Sequence, residues 1–309
     1  MSSPNAVRKG TLLVAFGSSL WATDLIFRPE LAEALTAAEV VFWEHLILAL
    51  ICLPILLRSD LRRLTRRDWI SVALVGAGAS VVATVLFTEA FSYGEPTTVV
   101  LLQKVQPLVV IVGARIMLGE RLKPNFWLYA IPAIVGAYLL STPAPSEVTL
   151  ASFTPALLSI GAATLWGLGT VLGRGLLNTI PFMTQTALRF VVGFPMAAIM
   201  LGAFGPEGRL VEARLSDTPI LLALALVPGL IAVSLYYRGL TQTPASTATL
   251  AELAFPLSAV VLGLILFDDP LVGSQWIGFV VLGLSITALG LAGSRTQPVL
   301  VPEETATPA

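Results

Sequence analysis

Apolar residues fall into ten blocks along the chain, separated by short polar stretches. The blocks lie at 10–27, 37–57, 69–91, 97–118, 126–140, 155–174, 182–203, 219–240, 245–267 and 275–291. At about 1.5 Å per residue, helices of this length can cross the hydrocarbon core of a membrane. The alternating strands of about ten residues that a membrane barrel needs do not occur in the pattern. The sequence therefore predicts an all-α membrane protein with ten transmembrane helices.

Composition agrees with this class and narrows the chemistry. Of the 309 residues, 56% are apolar and 12% are charged, and the mean hydropathy is +0.86. A soluble domain carries about 25% charged residues. The formal net charge of −1 gives no reason to expect a nucleic-acid partner. A single cysteine, Cys52, and a single histidine, His45, argue against an internal disulfide and a His-rich metal site, so we expect no metal and no cofactor.

Basic residues predict how the chain is oriented. Residues 58–69 follow the second block and contain five arginines: Arg58, Arg62, Arg63, Arg66 and Arg67. Because short cytoplasmic loops are enriched in Lys and Arg, this loop is expected in the cytoplasm. Ten crossings then place both termini there too, in a cell inner (plasma) membrane, with Arg28, Arg209 and Arg214 outside. The polar segment 295–309 is expected to be a disordered tail.

The two halves of the sequence resemble each other. Trp21 in SSLWATD matches Trp166 in ATLWGLG, and the run after Pro107 matches the run after Pro256 at nearly the same offset. The units are residues 1–140 and 153–294, joined by a polar hinge at 141–152. Because each unit has five helices, an odd number, the second must enter the membrane from the opposite side. Inverted repeats of this kind are a transporter architecture with its site near mid-membrane.

Through these motifs the chain resembles the EamA-type branch of the drug/metabolite transporter superfamily. The family's aromatic-glycine opening appears as LWATD and LWGLG. Its commonest mark is a mid-helix proline followed by Gly-Glu-Arg-Leu, here at 119–122, and the second copy is degraded to Asp-Asp-Pro-Leu at 268–271. The resemblance covers nearly all of residues 11–291. It implies import or export of small metabolites, amino acids among them, by alternating access.

Charged residues inside the apolar blocks are the candidate functional groups. They are Glu44, His45, Glu89, Lys104, Arg189 and Glu252, with Asp24 and Arg115 nearer the block ends. A charge at the centre of a transmembrane helix costs about 2.5–3.5 kcal/mol unless it faces a cavity or a partner. We therefore expect these side chains to point into the bundle. Glu44 and Arg189 occupy corresponding repeat positions and are interpreted mainly as structural partners of other helices.

Lys104 and Glu252 lie at similar depths in the fourth and ninth blocks. Each precedes a proline, Pro107 or Pro256, which is expected to kink its helix and leave carbonyl groups unpaired. In one interpretation Lys104 binds a substrate carboxylate, while Glu252 or Asp24 takes an ammonium group or a proton. In the alternative, Lys104 and Glu252 form an ion pair that only joins the repeats.

Aromatic residues complete the predicted site. Trp21 and Asp24 are about one helical turn apart and so can face one cavity, although Asp24 also fits a place at the membrane interface. The tryptophans are interpreted either as stacking surfaces or as interface anchors. The candidate substrate-binding residues are Trp21, Asp24, Gln103, Lys104, Trp166, Tyr237 and Glu252.

The predicted function is a secondary transporter, an exporter of a small polar metabolite such as an amino acid, and not an enzyme. No Walker sequence is present, so the driving force would be a gradient, with Asp24 or Glu252 carrying a proton, or transport would be facilitated diffusion. The expected partners are a small-molecule substrate and the bilayer, with the chain a monomer or weak homodimer. The alternatives are a flippase for a lipid or headgroup and a membrane enzyme acting on lipid phosphates. The latter would have to use the acidic pair at 268–269, which has no histidine nearby.

Overall fold

The computed structural model describes residues 4–32, 34–93, 96–122, 124–142, 153–205, 215–266 and 270–292, and within them every regular element is a helix. The α-helices are α1 (Pro4–Trp21), α2 (Asp24–Ala32), α3 (Ala37–Leu57), α4 (Arg66–Ala73), α5 (Ala83–Tyr93), α6 (Pro96–Gln103), α7 (Gln106–Met117), α8 (Trp127–Ser141), α9 (Phe153–Leu176), α10 (Phe182–Phe204), α11 (Thr218–Leu224), α12 (Ala232–Leu240), α13 (Ala245–Ala251), α14 (Ala254–Leu266) and α15 (Gly273–Ala292). Two π-helical segments, Leu74–Val82 and Ala225–Ile231, join α4 to α5 and α11 to α12.

Within the described residues, seven helical segments are long and apolar enough to cross a membrane. They are Asn5–Ala32, Ala37–Leu57, Arg66–Ala90, Phe153–Leu176, Phe182–Phe204, Thr218–Leu240 and Ala245–Leu266. Shorter apolar helices occupy the predicted fourth, fifth and tenth blocks, at Gln106–Met117, Trp127–Ser141 and Gly273–Leu289. The all-α class is confirmed, and the count of ten crossings stays a prediction. The hinge from 143 to 152 and the tail at 295–309 lie outside the described residues.

Three of the predicted spans are interrupted near candidate binding residues. The first breaks between Trp21 and Asp24, the fourth at Lys104 and Val105, and the ninth at Glu252 and Leu253. Pro107 and Pro256 lie in the first turn of the helix that follows each of the last two interruptions. Because proline has no N–H and crowds the preceding turn, it removes a hydrogen bond from the helical ladder and favours a break there. The fourth span is therefore two short helices, neither long enough to cross alone.

Two helices begin with a reciprocal capping box. Before α3, the backbone N–H of Thr36 donates to the Glu39 carboxylate (2.7 Å), and the N–H of Glu39 donates to the Thr36 hydroxyl (3.3 Å). Thr65 and Asp68 make the same pair of bonds before α4. Each box satisfies backbone donors that the first helical turn leaves without partners.

The two halves interleave instead of packing as separate bodies. Helix α1 packs on α12, α3 on α10, and α5 and α7 on α9. The α1–α12 contact depends on glycine: a Cβ atom added at Gly239 would lie 2.6 Å from the Gly10 carbonyl oxygen. Small residues at such crossings let helix backbones approach closely in membranes, where burial of apolar surface gives little driving force.

Several helix ends meet at one end of the bundle, which we call the basic face. Its exposed arginines are Arg58, Arg62, Arg63, Arg66 and Arg67. Next to them, Ser59 hydrogen-bonds Thr184 at the start of α10 (3.0 Å). At the end of the neighbouring α9, the Arg174 guanidinium donates to the Thr243 carbonyl that follows α12 (3.2 Å). The ends of α3, α9 and α12 and the start of α10 therefore lie together at this face.

Candidate functional site

A cavity of about 450 Å³ lies between the two halves. This volume is typical of sites for small organic molecules, which range over about 300–1,000 Å³. Its polar and aromatic lining consists of Trp21, Asp24, Arg28, Glu44, His45, Ser80, Thr84, Phe87, Thr88, Gln103, Gln106, Trp166, Thr170, Arg189, Phe190, Tyr236, Glu252 and Phe255. The lining comes from both repeats and includes the helix interruptions of the first, fourth and ninth spans.

Five of the seven candidate residues line this cavity: Trp21, Asp24, Gln103, Trp166 and Glu252. Lys104 does not; it lines an adjoining cavity of about 40 Å³ that shares Gln103 and Glu252 with the main one. Tyr237 lies behind the wall, fully buried, with its hydroxyl accepting from Arg189 (3.1 Å). A binding role for each of these residues stays a prediction.

Glu252 sits at the interruption between α13 and α14 and is 8% exposed. Its carboxylate accepts hydrogen bonds from the Gln106 amide (2.8 Å), the Thr170 hydroxyl (3.1 Å) and the Tyr236 hydroxyl (2.7 Å). Buried carboxylates normally pair with a cation. Among the described residues, however, no cationic nitrogen lies within 4 Å of Glu252. The result is a buried carboxylate held by neutral donors at the edge of the cavity.

The alternative ion pair between Lys104 and Glu252 is absent from the described part of the chain. Gln106 occupies the place facing Glu252, because the interruption at Lys104 and Val105 changes the direction in which the following side chains point. Lys104 therefore has no hydrogen bond to a described residue, although it lies close to the same carboxylate.

Three charged groups meet at the opposite side of the cavity. Arg28 donates through Nε to Asp24 (3.0 Å) and through Nη2 to Glu44 (3.0 Å). Asp24 is thus not the unpaired carboxylate that the sequence interpretation considered, although its Oδ1 atom is buried and accepts no bond from a described residue. Arg28 itself was missed. Its position four residues after Asp24, the spacing at which helical side chains meet, was the available signal.

Arg189 lines the cavity and is oriented from behind by two neutral groups. Its Nε donates to the Ser80 hydroxyl (3.1 Å) and its Nη1 to the Tyr237 hydroxyl (3.1 Å). His45 contacts the Val41 carbonyl through Nδ1 (2.9 Å) and Ser80 through Nε2 (3.0 Å). Because the carbonyl only accepts, Nδ1 carries a proton, and Nε2 lies within hydrogen-bond distance of the Ser80 hydroxyl. The remaining guanidinium donors of Arg189 have no carboxylate partner among the described residues.

Two aromatic pairs form apolar surfaces in the cavity. The Trp21 and Tyr236 rings are 5.3 Å apart between centroids, and the Phe87 and Trp166 rings are 5.2 Å apart. The two tryptophans, which occupy corresponding positions in the repeats, therefore both line the cavity with an aromatic partner. Such surfaces can bind a flat ring by stacking or edge contacts.

Comparison with known proteins gives the family. The model of the EamA-like transporter family matches the chain twice, over residues 8–142 and 153–291. The chain belongs to this family. The family lies in the drug/metabolite transporter superfamily, so the resemblance seen in the sequence is confirmed. With its apolar helices, this EamA-like transporter is a multi-pass membrane protein.

Several relatives of this EamA-like transporter are named for the substrate that they transport. The riboflavin transporter ImpX of Fusobacterium nucleatum is 32% identical over 265 residues, covering 82% of this chain and 88% of that protein. A riboflavin transporter of Rhizobium johnstonii is 28% identical over 254 residues, which are 79% of this chain and 78% of that one. One from Brucella anthropi is 26% identical over 235 residues, 74% and 78% of the two chains. A crystal structure with 19% sequence identity covers 93% of this chain and 98% of its own at a TM-score of 0.72, and shows the same fold.

Proposed function

We propose that this transporter moves riboflavin or a closely related flavin across the membrane by alternating access of its two halves. The observation that carries the proposal is a cavity of flavin-compatible size, lined by two aromatic pairs and by hydrogen-bonding groups from both repeats. The relatives named as riboflavin transporters support the same substrate.

The chemistry of riboflavin fits the lining. Its flat three-ring system suits the aromatic pairs, and the two carbonyl groups of its pyrimidine edge suit the free donors of Arg189. Its polyhydroxylated side chain suits polar groups of the lining such as Thr88 and Gln103. The carboxylates of Asp24, Glu44 and Glu252 are nearly balanced by Arg28 and Arg189, which favours a neutral polar solute over a strongly charged one.

An amino acid is less well supported than a flavin. The sequence interpretation gave Lys104 the task of binding a substrate carboxylate, but Lys104 lines the small adjoining cavity and not the main one. The cation that does face the main cavity without a carboxylate partner is Arg189. The relatives described above are named for riboflavin.

We assign proton coupling to Glu252. It is a buried carboxylate on the cavity wall with three neutral donors, so a proton can be added or removed without breaking a described ion pair. Asp24, the other candidate, is paired with Arg28 and would lose that pair on protonation.

The direct test is binding to the purified protein. Riboflavin fluorescence should be quenched on addition of the wild-type protein, and Trp166→Ala should weaken binding by about fivefold because it removes one stacking surface worth ~1 kcal/mol. Trp127→Ala is the matched control, since Trp127 is exposed on the outer surface of the bundle. Thermal stabilisation by amino acids without any effect of riboflavin would refute the flavin proposal.

Direction of transport is tested with the same protein in liposomes. Export stays the direction predicted from the sequence. With inserted protein of determined orientation, riboflavin loaded inside and riboflavin added outside should move at different rates under a proton gradient. Faster movement toward the side of the basic face would mean that the export prediction is wrong.

A further inference from the structure

Glu120 belongs to the Gly-Glu-Arg-Leu motif at 119–122, which the cavity does not explain. Helix α7 ends before Gly119, whose φ of 65° lies in the left-handed region that glycine adopts without steric cost. The backbone N–H of Glu120 turns back to donate to the Ala114 carbonyl (3.1 Å). This turn directs the Glu120 side chain into the bundle, where the residue is only 9% exposed.

The Glu120 carboxylate binds the start of α13, which belongs to the other half of the chain. It accepts bonds from the backbone N–H groups of Ala245 (2.7 Å) and Ser246 (3.1 Å) and from the Ser246 hydroxyl (2.6 Å). The first N–H groups of a helix have no partners within it, and the positive end of the helix dipole favours an anion there. The contact therefore joins the repeats through a charge-assisted cap at the basic face, beside Thr243.

Helices α7 and α13 are connected at both ends by carboxylates. At the basic face Glu120 caps α13, and at the other end Glu252 accepts from Gln106, the first residue of α7. The seven residues of α13 rise by about 10 Å between these two contacts. This short helix thus lies between the cavity and the basic face, with one end in each.

Two buried hydroxyl groups on α13 have no hydrogen-bond partner among the described residues. They are the Oγ1 atoms of Thr247 and Thr249. Burying such groups without partners costs free energy, and they would gain water if α13 moved away from its neighbours.

We propose that Glu120 is the gate residue of the basic face: its contact with Ala245 and Ser246 keeps the cavity closed on that side, and its release lets α13 move and opens it. The proposal rests on the alternating-access part of the proposed function. Glu120 touches no substrate in this scheme; it is a positioning residue that decides which side of the transporter is open.

The test measures the accessibility of both sides at once. In a Cys52→Ala background, Thr247→Cys reports on α13, where Thr247 is fully buried, and Thr88→Cys reports on the other end of the cavity, where Thr88 is exposed. Each reporter is labelled with a membrane-impermeant maleimide in nanodiscs, which leave both faces accessible. Glu120→Gln should raise the labelling rate at position 247 by about tenfold, because it removes a charge-assisted bond, and lower it at position 88.

A matched control and a milder variant distinguish opening of the gate from local fraying of helix α13. Asp68→Asn removes a carboxylate cap of the same kind at the same face, but Asp68 caps its own helix, so neither reporter should change. Ser246→Ala removes only the hydroxyl bond and should give a smaller shift in the same two directions. It also supplies the measurement if the Glu120 variant does not fold.

Faster labelling at position 247 with no change at position 88 would mean local fraying of α13 and would overturn the proposal. No change at either position would overturn it as well. The assay contains no substrate, so a failure of riboflavin to bind would contradict the proposed substrate and leave the gate standing.

Discussion

At the residue scale, the charged side chains of the cavity fall into two groups, which differ in whether they form ion pairs. The Arg28 guanidinium pairs with the carboxylates of both Asp24 and Glu44, so its positive charge is neutralised within the protein. Arg189 and Glu252 instead have only neutral partners among the described residues. A charged side chain whose partners are neutral is not compensated inside the protein, so it interacts more strongly with a ligand or a proton. We therefore expect substitutions at Arg189 and Glu252 to change transport most directly.

The first prediction concerns Glu252. Glu252→Gln keeps the size of the side chain and an acceptor for Tyr236, but it removes the site that can gain and lose a proton. Proton-driven riboflavin flux in liposomes should lose its pH dependence, while binding weakens by less than about tenfold. Glu89→Gln is the control, because Glu89 is a half-buried carboxylate that does not line the cavity. A wild-type pH profile in the Glu252 variant would remove the coupling role.

At the element scale, interruptions and close helix crossings shape the site. The breaks before Pro107 and Pro256 place Gln106 and Glu252 in contact across the repeats. The crossing of α1 and α12 brings Trp21 beside Tyr236, one partner from each half. The aromatic surface of the cavity thus depends on how closely these two helices approach.

A glycine substitution tests that approach. Gly239→Ala would place a Cβ atom 2.6 Å from the Gly10 carbonyl oxygen, so the helices must separate. Such overpacking should destabilise the protein by about 1–3 kcal/mol and weaken riboflavin binding through displacement of Trp21. Thermal unfolding and fluorescence titration measure the two effects.

The matched control lies in α14. A Cβ atom at Gly263 meets no atom within 4 Å, so Gly263→Ala should leave stability unchanged or raise it by up to about 1 kcal/mol through helix propensity. If both alanine variants unfolded at the same temperature, the α1–α12 contact would not limit stability.

At the scale of the whole molecule, the cavity exists only because the halves interleave. The family model matches each half separately, but the aromatic pairs Trp21–Tyr236 and Phe87–Trp166 each take one residue from either half. Neither half alone would contain the lining. The 0.72 TM-score at 19% identity shows that the overall fold is kept while most side chains change.

The predicted topology is testable at this scale. In a Cys52→Ala background, Asp60→Cys and Thr307→Cys should both react with an impermeant thiol reagent from the cytoplasmic side only, because ten crossings return the chain to the side where it began. Glu207→Cys should react from the opposite side. Labelling of positions 60 and 307 from different sides would contradict both the count of ten and the inverted repeat.

The sequence predicted part of the cavity lining but not its internal pairing. Trp21 and Trp166 were found because they occupy corresponding repeat positions, and Glu252 because a charge inside an apolar block needs a cavity or a partner. Lys104 was proposed as a substrate ligand because it lies at mid-depth in the fourth block, just before Pro107. The helix is interrupted just after Gln103, however, and Gln106 is the residue that contacts Glu252.

The sequence by itself determined that this is an all-α membrane protein of the EamA-like family. That information is local: the transfer of apolar side chains into lipid is favourable residue by residue, and the motifs lie within single helices. Only the tertiary structure decided that Arg28 also reaches Glu44, that Arg189 has no carboxylate partner among the described residues, and that Glu120 caps α13. These contacts depend on how distant helices approach and where they break, and pairings between distant helices have no signature in the local pattern.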